Sequence, residues 1–112
     1  MCRHQTLYYD DNTGYVIRCM KCENFQVGYG NVLITLNATD FASLRNCVDN
    51  AIAYHQYNDD LYIDSKSIFI PTPCDGLKLL LTQKELKALS NMLDMADTEY
   101  KSQQLMDMFN KV

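Results

Sequence analysis

Residues 32–51, VLITLNATDFASLRNCVDNA, and residues 77–96, LKLLLTQKELKALSNMLDMA, decide the fold because they read as one pattern written twice. With a shift of 45 positions, Leu36 meets Leu81, Leu44 meets Leu89 and Ala51 meets Ala96. Shared apolar periodicity alone produces such matches, but Asn46 also meets Asn91 and Asp49 meets Asp94, and these are not pattern positions. Each copy opens with alternating or continuous apolar residues, the signature of a strand, and then changes to helical spacing. Asn37 with Asp40, and Thr82 with Glu85, stand at the change as N-cap and N3 residues of a capping box or its carboxylate variant.

Upstream of each strand lies a second one. Phe25–Tyr29 and Val32–Leu36 flank Gly30-Asn31, a hairpin signal. Ser67–Ile70 and Leu77–Leu81 flank Pro71-Thr72-Pro73 and Asp75-Gly76. The first helix runs on through Phe41, Leu44, Val48, Ala51 and Ile52 and is expected to end near Asn58-Asp59-Asp60, before a polar loop in which Leu61-Tyr62-Ile63 forms at most a short strand. The second helix carries Leu86, Leu89, Met92, Leu93 and Ala96. It either continues through Glu99–Phe109 or kinks near Asp97-Thr98.

At the N-terminus, Gln5–Tyr9 and Tyr15–Arg18 flank the turn-forming run Asp10-Asp11-Asn12-Thr13-Gly14 and predict a further hairpin. Cys2 and His4 lead into it, and Cys19 leaves it for Cys22, giving C-x-H followed by C-x-x-C. Two short antiparallel strands return Cys19 beside His4, so four soft ligands meet in the layout of a tetrahedral zinc site. With Cys2, His4, Cys19 and Cys22 all coordinating, no position is left for water, and the expected zinc is structural rather than catalytic. Arg3, Arg18 and Lys21 stand close enough in sequence to offset the excess thiolate charge. Cys74 and His55 are alternative fourth ligands. A redox C-x-x-C is the rival chemistry, but such motifs usually open a helix, and this one lies between strands. Reduced thiols without metal are the plainer reading of the same residues.

The expected fold class is therefore α+β. A zinc-knuckle β-hairpin precedes two pseudo-repeated β-β-α units, with both helices packed on one face of a mainly antiparallel sheet. The chain of 112 residues makes one domain, 1–112. Residues 1–30 form the knuckle hairpin, 31–58 and 77–97 the strand–helix units, and 98–112 a helical tail. Its Leu105, Met106, Met108 and Phe109 suit docking on its own core or on a second copy, making a homodimer.

Net charge is −4 and the basic residues are scattered, whereas a nucleic-acid surface needs a basic stripe. Nucleic acid is thus an unfavoured partner, and would require Arg3, Arg18, Lys21 and Arg45 to share a face. No apolar run approaches a membrane span, and five cysteines, an odd number, suit a reducing cytoplasm better than a disulfide framework. No phosphate-binding glycine loop and no nucleophile or zinc-protease motif occurs. Cys47, opposite Met92 in the repeat, is expected as core filler, and His55 with Asp59 or Asp60 as a helix-end histidine rather than an acid–base pair. Tyr8, Tyr9, Tyr15 and Tyr29 cluster around the hairpin, as half-buried packing or a stacking platform. What this composition supports is a protein-interaction or regulatory module rather than an enzyme.

The run Cys2-x-His4-Gln5-Thr6, Gly14-Tyr15-x-Ile17-x-Cys19-x-x-Cys22 and Phe25-Gln26-Val27-x-Tyr29-Gly30-Asn31 resembles a family of small Bacteroidetes proteins classed as a domain of unknown function. The likeness lies mainly in the first half of the chain. It implies a cytosolic bacterial protein and carries over no catalytic residue, substrate or partner.

Overall fold

A computed structural model describes residues 3–55, 65–73 and 75–110. Strands β1 (His4–Asp10), β2 (Gly14–Cys19), β3 (Phe25–Tyr29) and β4 (Val32–Leu36) precede helix α1 (Ala38–His55). Strands β5 (Ile68–Pro71) and β6 (Lys78–Leu81) precede helix α2 (Gln83–Asn110). All pairings are antiparallel, but the strands do not share the single sheet expected. They divide into a meander, β1-β2-β3-β4, and a separate ribbon, β5-β6. The ribbon packs against α1, whose other neighbours are β4 and α2, and α2 crosses β1 and β2.

Cross-strand pairing assigns the faces of the meander. Val16, Phe25, Val27, Ile34 and Leu36 turn inward and are buried under the helices. In β1 the register slips between Thr6 and Tyr8. This bulge lets Leu7 and Tyr8 both reach the core, where simple alternation would have allowed only one. Phe25 stacks flat on Phe41 of α1 at 4.5 Å and meets Tyr100 of α2 edge-on at 5.0 Å. Cys47 is only half-buried at the margin of this core, whereas Met92, its counterpart in the sequence match, is fully enclosed.

Both helix starts behave as their caps predict. Asp40 donates its backbone N–H to Asn37 Oδ1 at 2.8 Å. Glu85 and Thr82 close a reciprocal box, Glu85 N–H to Thr82 Oγ1 at 3.1 Å and Thr82 N–H to Glu85 Oε1 at 2.9 Å. The Tyr29 hydroxyl donates to the Glu85 carbonyl at 2.7 Å, and burial, with the Glu85 charge nearby, pushes its pKa up to about 12. α2 then runs unbroken through Asp97 and Thr98. Asp97 pairs with Arg45 and with Lys101 one turn on, and the Thr98 hydroxyl returns to the Asp94 carbonyl, so this segment is held helical rather than kinked. The expected end of α1 at Asn58-Asp59-Asp60, and Leu61-Tyr62-Ile63, lie outside the described residues.

Two glycines shape the hairpins differently. Gly30 opens the two-residue β3–β4 turn at φ 58°, the left-handed first position of a type II′ turn, with open space around it. Gly14 sits at φ 148°, and a Cβ there would lie 1.9 Å from the Gly28 carbonyl oxygen. Gly14→Ala will accordingly cost roughly 3 kcal/mol in urea denaturation, against about 1 kcal/mol for Gly30→Ala.

A hydrogen bond from Lys66 at 2.5 Å, with the Thr82 N–H, holds the Glu85 carboxyl below the usual glutamate range. Folding thus favours the ionised form. Its stabilisation is complete above the ordinary glutamate pKa of about 4.3 and disappears as pH falls through the lower folded value. The stability difference between the natural chain and Glu85→Gln will shrink across that acid window in a denaturation series and stay constant near neutrality.

Candidate metal centre

The β1–β2 hairpin makes His4 the cross-strand partner of Cys19. Residues opposed in a ladder project to the same face, so imidazole and thiol share the side of the sheet away from the helices. After Cys19 the chain folds back tightly: Cys19 N–H donates to the Asn24 carbonyl at 2.8 Å and Glu23 N–H to the Cys19 carbonyl at 2.9 Å. Met20 N–H donates to the Arg3 carbonyl at 2.7 Å, fastening the loop to the chain entering β1. Glu23 adopts φ 63°, the only left-handed non-glycine backbone among the described residues. That turn aims the Cys22 N–H at Cys19 Sγ, 3.4 Å away. This N–H···S contact closes the turn between the two cysteines.

Cys19 is buried, whereas His4 and Cys22 are exposed. His4 borders a cavity of about 350 Å³ with Arg3, Gln5 and Met20. Cys2 lies outside the described residues, as does Cys74. His55 ends α1 with its ring edge-on to Tyr54 at 4.9 Å; Asp59 and Asp60 lie outside the described residues. Among the described residues no group of three or more His, Cys, Asp or Glu side chains is gathered so as to hold a metal ion. The fold thus joins His4 to Cys19 and Cys19 to Cys22 pairwise, without drawing the three into one shell.

Arg18 is the residue that sequence reading placed wrongly. Expected beside the ligands as a compensating surface charge, it points to the opposite face of β2 and is 9% exposed. Its guanidinium lies 4.9 Å from the Tyr100 ring centroid, in cation–π range, and touches the knuckle through Met20 Sδ at 3.8 Å and Glu23 Oε1 at 3.7 Å. The strict alternation of β2 was the available signal: Val16 is apolar and Arg18 shares its face. Arg45, another cation required by a nucleic-acid surface, bonds Asp94 at 2.6 Å and Asp97 at 3.1 Å across the two helices. The tyrosines divide as well. Tyr8 and Tyr29 pack on the core, Tyr9 is exposed with its hydroxyl on Asp11, and the Tyr15 ring covers Gly28.

The model of one protein family matches residues 1–110. The chain belongs to a family of unknown function (DUF6686). The DUF6686 match spans the meander, the ribbon and both helices, well beyond the first half of the chain. No curated protein and no solved structure matches the chain. Among the described residues of this DUF6686 member no helix is long and apolar enough to cross a membrane.

Tyr100 is where the knuckle, through Arg18, meets the long helix. Tyr100→Ala will destabilise the fold by about 3 kcal/mol in thermal or urea unfolding. Tyr100→Phe keeps the ring and loses only the exposed bond from Gln104 to its hydroxyl at 2.8 Å, so it will stay within about 0.5 kcal/mol of the natural chain.

Proposed function

We propose that the N-terminal hairpin carries a structural zinc ion bound by Cys2, His4, Cys19 and Cys22, and that the chain works as a protein-interaction module in a reducing compartment. The observation that supports this most is the turn at Glu23, which directs the Cys22 amide to the Sγ of Cys19, itself the cross-strand partner of His4. Three thiolates and one imidazole are a soft donor set suited to zinc, and with every position filled by protein the ion would cross-link rather than catalyse. Bound there, it would supply a tie between the start of β1 and the loop after β2, in a chain small enough to gain from such a staple. The same reading takes β3-β4-α1 and β5-β6-α2 as two copies of one β-β-α plan. Support comes from their matched caps and from the burial of Ile34, Phe41, Leu44 and Val48 at the positions of Leu79, Leu86, Leu89 and Leu93.

Elemental analysis of native protein tests the metal: one zinc per chain is expected. Cys22→Ser will lose that zinc and lower the unfolding temperature, since metal binding is folding free energy. Thiols that alkylate rapidly near neutral pH in metal-free protein of unchanged stability would instead identify a redox pair.

A further inference from the structure

On α2, the residues against the sheet run through Leu89, Met92, Leu93, Ala96 and half-buried Tyr100. Beyond Tyr100 the helix projects from the body, and the molecule with this arm extends 54 Å along its longest axis against 26 Å in the other directions. Among residues 101–110 only Gln103 is partly covered. The projecting arm is nevertheless apolar: Leu105, Met106, Met108 and Phe109 are 54–72% exposed. Their direction excludes docking on their own core. Met95, Thr98, Ser102, Leu105 and Phe109 recur at alternating steps of three and four, and at 100° per residue their mean direction lies about 160° around the axis from the buried stripe. Alternating steps of three and four make a coiled-coil seam, here exposed along its whole length.

We propose that this seam pairs, antiparallel, with the same seam of a second copy of the chain. Side-chain sizes select the arrangement. Run antiparallel, Phe109 of one copy lies over Thr98 of the other and Leu105 over Ser102, so large residues fill the spaces beside small ones. Both ends of the helix pair repeat this fit. The Thr98 hydroxyl is already bonded to the Asp94 carbonyl at 2.9 Å, so it presents its methyl group at no polar cost. The flanking positions agree: Glu99 falls beside Met106 and Lys101 beside Met108. Run parallel, Thr98 and Ser102 would face their own copies and leave gaps, and Asp94 would oppose Glu99 as a like-charge pair, twice.

The arm offers roughly 500 Å² of apolar surface per copy, and about 1,000 Å² for the pair reaches the lower bound of specific interfaces. A patch of that size falls among the largest that typical monomers expose, and such patches are often functional. The pairing deepens the interaction reading above by naming its partner, and it stands independently of the metal.

Sedimentation equilibrium of the full chain from about 1 to 100 µM tests the pairing, with zinc content measured on each sample. A monomer–dimer equilibrium is expected. Leu105→Glu and Phe109→Glu will each raise the dissociation constant at least about 30-fold, with zinc content unchanged and with the unfolding temperature unchanged at concentrations where the natural chain is monomeric, because both side chains face solvent in the monomer. Thr98→Lys combined with Phe109→Glu will restore association, since the two positions meet only in the antiparallel register. A natural chain that stays monomeric at the highest concentration, or variants that dimerise undiminished, would overturn the proposal. A Thr98→Lys/Phe109→Glu chain no tighter than Phe109→Glu would overturn the register. Missing zinc in a dimeric chain would count against the metal reading alone.

Discussion

Phe25 holds the molecule together. One face of its ring lies on Phe41 and an edge contact joins it to Tyr100, so a single meander residue touches both helices. Neither helix is strongly amphipathic over its whole length, and α2 runs 28 residues with much of its surface in solvent. Aromatic contacts of this kind add about 0.5–1.5 kcal/mol beyond the area they bury. They also fix direction. With Phe41 and Tyr100 placed against one ring, α1 and α2 lie side by side on the inner face, and Arg45 can reach both Asp94 and Asp97 between them.

Arg18, the cross-strand partner of Phe25, extends that constraint to the loop after β2. Its stem passes through the core, its guanidinium rests on Tyr100, and its polar end touches Met20 and Glu23 of the knuckle. A buried guanidinium with an unpartnered Nε among the described residues is an expensive group. The aromatic face and the two knuckle contacts offset part of that cost. The same side chain therefore sets where the loop after β2 sits relative to α2.

Much of the local structure was legible. Phe25–Tyr29 and Val32–Leu36 were read to the residue, because Gly30-Asn31 and the flanking alternation leave no competing register. Asn37-x-x-Asp40 and Thr82-x-x-Glu85 marked both helix starts, because capping depends on four consecutive residues and nothing distant. The bulge at Leu7 was not legible, since it is a matter of how β1 registers with β2 and not of the composition of β1. Nor was the direction of Arg18 used, because its charge suggested water more strongly than its place in the β2 alternation suggested the core. At the candidate metal centre, the spacing of Cys19 and Cys22 correctly implied a tight turn and the hairpin length correctly paired His4 with Cys19. The left-handed turn at Glu23, a position glycine would usually mark, left no sign in the sequence.

The sequence by itself determined the elements, their caps, their turns and the pairing of neighbouring strands, all of which rest on contacts between residues close in the chain. Tertiary structure alone decided that β5 and β6 form their own ribbon, that α2 continues straight past Asp97 into an exposed arm, and that Arg18 turns inward. Each of those outcomes depends on contacts between distant segments: α1 against β5, Arg45 against Asp97, Tyr100 against Phe25. Local propensity is nearly indifferent to these choices, and packing separates them because only one arrangement brings both helices onto the same aromatic ring.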